Sequence, residues 1–546
     1  MGTNLLKHLS LLPPIISVVL GLALLVANPV TLQGLSNQLF DQYQRWHPRS
    51  YVDAPVRIVD IDEESLARLG QWPWPRTRLA ELVKKLNASG AAAIGFDVVF
   101  AEPDRTSPRA MLDLWAPDDP IRNALARLPD NDAVFAESLA GAGAVLGFAE
   151  RGDGKAAQTP AGTISATLIA PETYPFRYVT SGELAERWLH RFSNPLPPLP
   201  ALAKAAAGVG ALSFVPDTDG VVRRVPLVFQ LAGDPIPSLV AEALRVAQGE
   251  KNYFLKTDAQ DAGLAEIRIG QFIIPTTPQG EMWVHFSHAA PDRYLPAWKV
   301  LAGEIPNALL EGQILLVGSS AQGLMDLRFS PFGQLIPGVE VHAQALEQIL
   351  SKQTLQRPGW ATALESMIIL AGGLAVGAIA RRASALVAAN ATLALLALLL
   401  AGGWYAFREQ GLLINTVIPA ITLASSFALG SVLQQALIER ERRRITRLFS
   451  RYVSPNRVRY LVEHPEATQL GGSRKACSFI FTDLAGFTTL MEGIDPADAV
   501  ALLNAYLDRM IGIAFRHEGT LDRIVGDAVA IMFSAPVEQA DHRARA

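Results

Sequence analysis

Two carboxylates at the ends of short apolar segments are the side chains best placed for chemistry in this sequence. Phe481-Thr482-Asp483-Leu484-Ala485-Gly486-Phe487-Thr488 reads as a strand that ends on Asp483 and passes through a glycine-bearing loop into a helix. Asp522-Arg523-Ile524-Val525-Gly526-Asp527 reads as one arm of a hairpin whose turn carries Asp527. Carboxylates at neighbouring strand ends supply the hard oxygen ligands that a pair of Mg²⁺ or Mn²⁺ ions needs, and loop amides can cradle phosphates. The competing reading makes Asp483 a helix cap and Asp527 a turn residue; either residue taken singly would favour it.

The elements that must position these residues are legible around them. Cys477 to Thr482 is the strand, and Asp495-Pro496 opens a helix with a cap and proline at its first position. Val500, Leu503, Leu507, Met510, Ile511 and Ala514 recur at helical spacing and predict a buried face, closed by Gly519. Thr520 to Val525 and Ala528 to Phe533 then pair around Gly526-Asp527. This is the opening of a βααβ palm.

A chain of 546 residues is too long for one domain, and 50% hydrophobic content with a mean hydropathy of +0.21 directs attention to membrane spans. The net charge of −4 points to no nucleic-acid partner, and the single cysteine, Cys477, excludes an internal disulfide framework. Leu9 to Ala27 reads as an uncleaved anchor, with a cleaved signal peptide as the competing reading. Three further runs, Ala361–Ala380, Ala383–Phe407 and Leu412–Ile438, are each long enough for roughly 30 Å of hydrocarbon. Arg381-Arg382 and the cluster Arg440, Arg442, Arg443, Arg444 and Arg447 belong inside by the positive-inside rule. Residues 30–359 are therefore expected outside the cell and residues 439–546 inside. Glu365, near the outer end of its span, is expected to reach water.

The exported part alternates strand and helix patterns. Val56–Ile61, Ala92–Phe100 and Ile314–Gly318 read as buried strands; Leu79, Leu82, Val83 and Leu86 form one helix face; Val339 to Leu350 reads as an amphipathic helix. An α/β domain with a mainly parallel sheet is expected. Asp60, Asp62, Glu63 and Glu64 are explained by capping, Gly318–Gly323 by a strand-to-loop turn, and His285 with His288 is too sparse for a metal site. Several segments together resemble the second class of CHASE sensor domains: Val59–Ser65, Gln71–Arg76, Gly95–Phe100, Asp217–Pro226 and Pro337–Ala343. The resemblance implies a bacterial extracytoplasmic sensor followed by three spans and a cytoplasmic output domain. It implies no particular ligand.

Beyond the last span, Ile438, Ile445, Leu448 and Tyr452 fall at a/d-like spacing, so a short parallel coiled coil and a solvated basic linker both fit residues 439–473. A small helix from Asn456 to Val462 and a polar loop over Ala467–Ser473 are expected next. Asp483-Leu484-Ala485-Gly486-Phe487-Thr488 and Gly519-Thr520-Leu521-Asp522-Arg523-Ile524-Val525-Gly526-Asp527 resemble the catalytic domain of class III nucleotide cyclases. The resemblance implies that Asp483, Leu484 and Asp527 serve two Mg²⁺ or Mn²⁺ ions, and that Gly486, Phe487 and Thr488 approach the triphosphate. It puts Arg523 where the family has a base-reading lysine, a departure that bears on the choice between ATP and GTP because a guanidinium is larger and fork-shaped. The family's second base-reading residue and its transition-state Asn and Arg are expected beyond Ala546. A diguanylate cyclase is excluded by the absence of Gly-Gly-[Asp/Glu]-Glu-Phe. A degenerate palm acting as a dimerising or regulatory module is the non-enzymatic alternative.

The expected whole is a multidomain, multi-pass protein of the cell's inner membrane, acting as a homodimer and responding to an extracytoplasmic signal. Its parts are a transmembrane anchor (1–29), an α/β sensor domain (30–359), three further transmembrane helices (360–438), a linker (439–473) and the first part of a ferredoxin-like cyclase palm (474–546). That palm would make cyclic AMP, or cyclic GMP, and pyrophosphate.

Overall fold

The computed structural model describes residues 12–116, 118–150, 177–182, 188–192, 194–258, 263–324, 326–449, 474–535 and 537–546. The chain divides into two compact units, one of residues 16–375 and 390–424, the other of residues 1–15, 376–389 and 425–546.

Two N-terminal helices, α1 (Leu12–Ala27) and α2 (Val30–Trp46), meet at a bend of 82°. Asn28 takes a left-handed φ of 40° there, and Pro29, which has no amide proton to donate, starts the second helix. The run read as the anchor thus continues, past this bend, into a second helix, and the 16 residues of α1 span about 24 Å at 1.5 Å per residue.

The large unit is then built on β1 (Val56–Asp60), α3 (Glu63–Leu69), α4 (Arg76–Ala88), β2 (Ala93–Val99), α5 (Asn131–Leu139), β3 (Ala144–Glu150), β4 (Pro195–Leu196), α6 (Pro200–Ala205), β5 (Gly208–Ala211), α7 (Leu239–Ala247), β6 (Tyr294–Pro296), α8 (Ala297–Ala302), β7 (Ile314–Gly318), β8 (Leu327–Phe329) and α9 (Gly338–Leu350). Among the described residues the main sheet has seven strands in the order β6-β1-β7-β2-β3-β4, with β5 also on β3; all pair parallel except β3 with β4. Strands β1 and β7 are buried at every residue, as continuous apolar runs in a sheet covered on both faces should be. The covering helices can be assigned from side chains. A Cβ on Gly95 would meet Leu239 and Ala243 of α7, and one on Gly318 would meet Val339 of α9, whereas Phe96 packs on Phe135 of α5. Helices α7 and α9 therefore lie on one face and α5 on the other. Among the described residues a smaller sheet of four strands joins Phe272–Pro275, Leu264–Ile269, Asn252–Thr257 and Arg177–Ser181.

Helix α9 departs from expectation. It is no surface amphipathic helix, since Gly338 to Ile349 are all buried, Glu340, Gln344, Glu347 and Gln348 included.

Among the described residues three helices are long and apolar enough to cross a membrane: α10 (Ala361–Arg382), α11 (Ala385–Gln410) and the part of α12 (Val417–Phe449) up to Arg444; the bent α1–α2 pair would be a fourth. Helix α12 starts five residues later than the predicted run because the preceding amides are committed elsewhere. Leu413 N–H donates to Gln356 O (2.9 Å), Asn415 N–H to the Glu365 carboxylate (2.7 Å), and the Asn415 side chain caps Val417 N–H (3.0 Å). Glu365 likewise does not reach water. Its side chain is fully buried and receives both guanidinium nitrogens of Arg357 at 2.8 Å, which clamps α10 to the start of α12. The linker from Ser450 to Ser473, with its expected small helix and loop, lies outside the described residues, as do the side chains of Ile445 and Leu448.

The second unit carries β9 (Ser478–Thr482), α13 (Phe487–Glu492), α14 (Pro496–Arg516), β10 (Thr520–Val525) and β11 (Ala528–Phe533), with sheet order β9-β11-β10, all antiparallel. Leu507, Ile511, Ala514 and Phe515 of α14 pack on Ile480, Leu521, Val529, Ile531 and Phe533, the small core that the helical spacing anticipated. Asp495 caps α14 through Ala497 N–H at 2.9 Å, with Pro496 at the first helical position.

Candidate functional site

The β10–β11 hairpin turns on two residues, Gly526 and Asp527, between paired Val525 and Ala528. Gly526 has φ +63°, the conformation that the first central position of a type II′ hairpin requires and glycine adopts without strain. That order sets Asp527 at the strand end, where its Oδ2 accepts a hydrogen bond from Leu484 N–H at 3.1 Å. The carboxylate of one loop thus holds the backbone that immediately follows Asp483. Thr482 pairs with Val529, so Asp483 itself leaves the sheet one residue beyond the ladder, solvent-exposed.

Among the described residues no three His, Cys, Asp or Glu side chains gather closely enough to hold a metal ion. A cation at this loop would rest on two carboxylates, on the Leu484 carbonyl and on oxygens of its own ligand or of water. That all-oxygen, sparse set suits Mg²⁺ or Mn²⁺, which keep waters and share substrate phosphates, and does not suit zinc. The Leu484 carbonyl already accepts Phe487 N–H at 3.1 Å, with its second lone pair left over. Gly486 sits at φ +78° in front of α13 and makes that turn possible. Phe487 N–H is spent within the turn, while Thr488 is exposed on its rim.

Arg523 is placed by a feature that strand periodicity does not reveal. A bulge between Leu521 and Arg523 shifts the register, so Arg523 lies opposite Ala530, which itself lies opposite Phe481. Arg523 therefore belongs to the sheet face away from α14, whereas Asp527 lies in the turn, outside the pleat. Its side chain is 70% exposed and paired with Asp522 at 2.8 Å.

In the large unit the structure reveals a buried charge centre that sequence reasoning missed. Arg293, fully buried, donates to Glu347 (2.6 Å), Glu340 (2.7 Å) and Ser287 (2.8 Å), and Arg49 donates to the same Glu347 at 2.7 Å. Arg49 follows α2, whose Gln44 is hydrogen-bonded to Val284 O (3.1 Å) and Phe286 N–H (2.8 Å), and whose Asp41 receives Arg223 through two bonds of 2.8 Å. Phe40, Tyr43 and Trp46 pack on Trp283, Trp404 and Phe407, tying the same helix to α11. The available signal was the spacing of Glu340, Gln344 and Glu347, a polar stripe at i, i+4, i+7 on a helix that also carries apolar residues all round.

The other carboxylates noted in the sequence are structural. Asp62 caps α3 through Ser65 N–H at 2.7 Å, and Glu63 accepts Gln322 N–H at 3.1 Å. Asp60 does not cap; it accepts Ser320 N–H (2.9 Å) and Ser320 Oγ (2.6 Å). Burial pushes Asp60 up to about 6 against the lowering effect of those Ser320 bonds, with a smaller contribution from Asp62. The folded state therefore binds this proton more tightly than the unfolded chain does, and stability falls as pH rises from about 4 to 6, by about 2–3 kcal/mol. Asp60→Asn is expected to flatten that decline in urea unfolding curves, with a midpoint at pH 7 no lower than the parent's; a lower one would show that the charge itself is needed. His285 is no ligand: its Nε2 lies 2.8 Å from His47 O, and burial depresses it to about 4.

The CHASE2 domain model matches residues 16–379, well over half of the chain. The chain belongs to the CHASE2 domain family. The CHASE2 match takes in the whole parallel sheet, the buried charge centre and most of α10. Shorter similarities lie alongside it. A stretch of 94 residues is 34% identical to Adenylate cyclase 1 of Rhizobium meliloti (strain 1021), covering 17% of this chain and 14% of that protein. A stretch of 97 residues is 36% identical to uncharacterized proteins of Mycobacterium tuberculosis (strain ATCC 25618 / H37Rv) and Mycobacterium bovis (strain ATCC BAA-935 / AF2122/97), covering 18% of this chain and 18% of each relative. The chain thus spans less than a fifth of the length of these relatives. A CHASE2 sensor joined to apolar helices of membrane-crossing length makes this a membrane-associated sensory signalling protein.

Proposed function

We propose that this CHASE2 protein is a receptor-type nucleotide cyclase of the inner membrane, with the sensor outside and residues 439–546 inside, converting ATP to cyclic AMP and pyrophosphate. The observation that carries the reading is the hydrogen bond from Leu484 N–H to Asp527, which joins the two predicted metal-binding loops. The partial likeness to a protein named adenylate cyclase supports it. Asp483 and Asp527 would hold the divalent ions, with the Leu484 carbonyl as a third protein oxygen. Bound there, such ions supply charge neutralisation of a triphosphate and activation of a ribose hydroxyl for in-line displacement. Asp527 has a second task, fixing the loop backbone so that Asp483 stays at the strand end. Gly486 keeps that loop free of a Cβ where a triphosphate approaches, and Arg523 reads the base with a guanidinium. Its exposed position and its Asp522 partner mean that it must exchange one contact for the other, and GTP is the competing substrate. Phe479 and Phe481, 52% and 75% exposed on the face that carries Arg523, offer an apolar surface to a second subunit.

Mn²⁺ titration followed by electron paramagnetic resonance tests the metal assignment. Mn²⁺ is expected to bind more tightly when ATP is present, and the Asp483→Ala/Asp527→Ala variant to lose that enhancement. Equal Mn²⁺–ATP binding by the double variant would overturn the assignment.

A further inference from the structure

A cavity of about 610 Å³ opens at the carboxyl edge of the parallel sheet, between the ends of β2 and β3, the segment after β5, and the β8 strand. In open α/β sheets this edge is the ligand-binding crevice, above all where successive connections leave on opposite faces. That condition holds here: the chain leaves β2 toward α5 on one face and β7 toward α9 on the other.

The wall of the cavity is mixed in a specific way. Asp97, Glu150 and Asp326 contribute carboxyls, Arg328 is the cation, and Phe214 gives an aromatic side. Asp326 and Arg328 pair at 2.7 Å on the lip, both more than a third exposed. Asp97 is different: its side chain is 6% exposed, and among the described residues it makes no hydrogen bond. Two-residue alternation from Gly95 puts it on the α9 face, where His342 Nε2 lies 3.8 Å from its Oδ1. His342, stacked on Phe214 at 4.5 Å, also makes no hydrogen bond of normal geometry; the Asp97 carboxyl and the Leu212 backbone lie near it. A largely buried acid without a hydrogen bond inside the chain, next to an imidazole whose two nitrogens are buried and unpartnered, leaves room at an open cavity for a donor from outside the chain.

We propose that this cavity is the ligand site of the sensor and that it takes a small molecule through an ammonium group seated on Asp97. An ammonium supplies the donors and the positive charge that no described side chain brings within hydrogen-bond distance of the Asp97 carboxyl. An α-amino acid would add a carboxylate for Arg328; a simple amine would not. The inference is independent of the chemistry assigned to residues 474–546. Burial, and then the nearby Asp326 charge, push Asp97 up to about 8, while Arg328 opposes them; burial depresses His342 to about 3. Burial thus favours the uncharged form of both groups in the free protein. Asp326, Arg328, Glu150 and His342 are the charged or titratable groups that share the site, and an arriving ammonium would displace the Asp97 proton.

Isothermal titration calorimetry on the full chain in lipid nanodiscs tests this, with putrescine and L-lysine as probes and succinate as the charge-reversed control. Saturable binding of putrescine or L-lysine is expected, with proton release revealed by its dependence on buffer ionisation enthalpy, and none for succinate. Putrescine binding identifies an amine site; binding of L-lysine alone, weakened by Arg328→Gln, identifies an amino-acid site. Asp97→Asn should weaken either by roughly tenfold or more while leaving the melting temperature at or above the parent's, because it removes a buried acid without a partner. Binding of succinate alone, no binding of either amine at millimolar concentration, or binding unchanged in Asp97→Asn would overturn the proposal.

Discussion

Replacing Arg293 by methionine is expected to cost the sensor about 3–5 kcal/mol, because it strands carboxylate charge in the interior. Arg293 is fully buried and bonded to Glu340 and to both oxygens of Glu347. With it gone, Glu347 retains Arg49 at 2.7 Å, whereas among the described residues Glu340 keeps only Gln344 (3.0 Å) and the Tyr294 hydroxyl (2.5 Å) as polar partners. One uncompensated negative charge then remains among buried groups. A domain of this kind has about 5–15 kcal/mol of stability in total, so the variant would sit near its unfolding threshold at room temperature. Urea unfolding measured by tryptophan fluorescence gives the number. Adding Glu340→Gln should recover part of the loss, since it removes the stranded charge, and the non-additivity of the pair measures their coupling. A single variant with an unchanged midpoint would show that the ion cluster is dispensable. Because Arg49 shares Glu347, the same substitution also loosens the grip of the sensor on α2, the helix that adjoins α11.

The second large effect concerns Asp483 and Asp527. If each holds a divalent ion that stabilises charge developing on a transferring phosphoryl group, losing one removes several kcal/mol of transition-state stabilisation; about 3 kcal/mol is roughly a hundredfold in rate. Asp483→Ala should lower cyclic nucleotide formation by at least that much and leave unfolding unchanged, since Asp483 is exposed. Asp527→Ala should lower turnover equally and also loosen the 484–488 loop, because Leu484 N–H loses its acceptor. Hydrogen exchange at Leu484 and Phe487 separates the two roles. Faster exchange in the Asp527 variant alone is the expected pattern, and equal exchange in both would contradict it.

What the sequence made legible follows a physical division. Buried parallel strands are apolar over their whole length, so Val56–Ile61 and Ile314–Gly318 declared themselves. The helix from Pro496 and the Thr520–Phe533 hairpin were readable because a cap, a proline and a glycine turn bound them locally. What stayed hidden depends on partners distant in sequence. The α9 segment reads as an amphipathic helix because nothing in a sequence window reveals that Arg293 and Arg49 arrive to neutralise its polar stripe. Glu365 looked free to reach water until Arg357 and the Asn415 amide claimed it. The late start of α12 has the same cause, amides taken by residue 356 and by Glu365. The bulge that turns Arg523 onto the open face is a matter of strand register, which alternation along one strand cannot reveal. The Asp97 cavity is the extreme case: its walls come from five separate segments, and only the fold brings them together.

Cyclic nucleotide formation from ATP, and from GTP, with Mn²⁺, by membranes that contain the gene product carrying this chain decides whether residues 474–546 belong to a cyclase. Cyclic AMP well above background, abolished by Asp483→Ala in equally abundant protein, is the predicted result. Formation of neither cyclic AMP nor cyclic GMP by folded, membrane-inserted protein would rule out the cyclase function and leave residues 474–546 as a non-catalytic partner of the CHASE2 sensor.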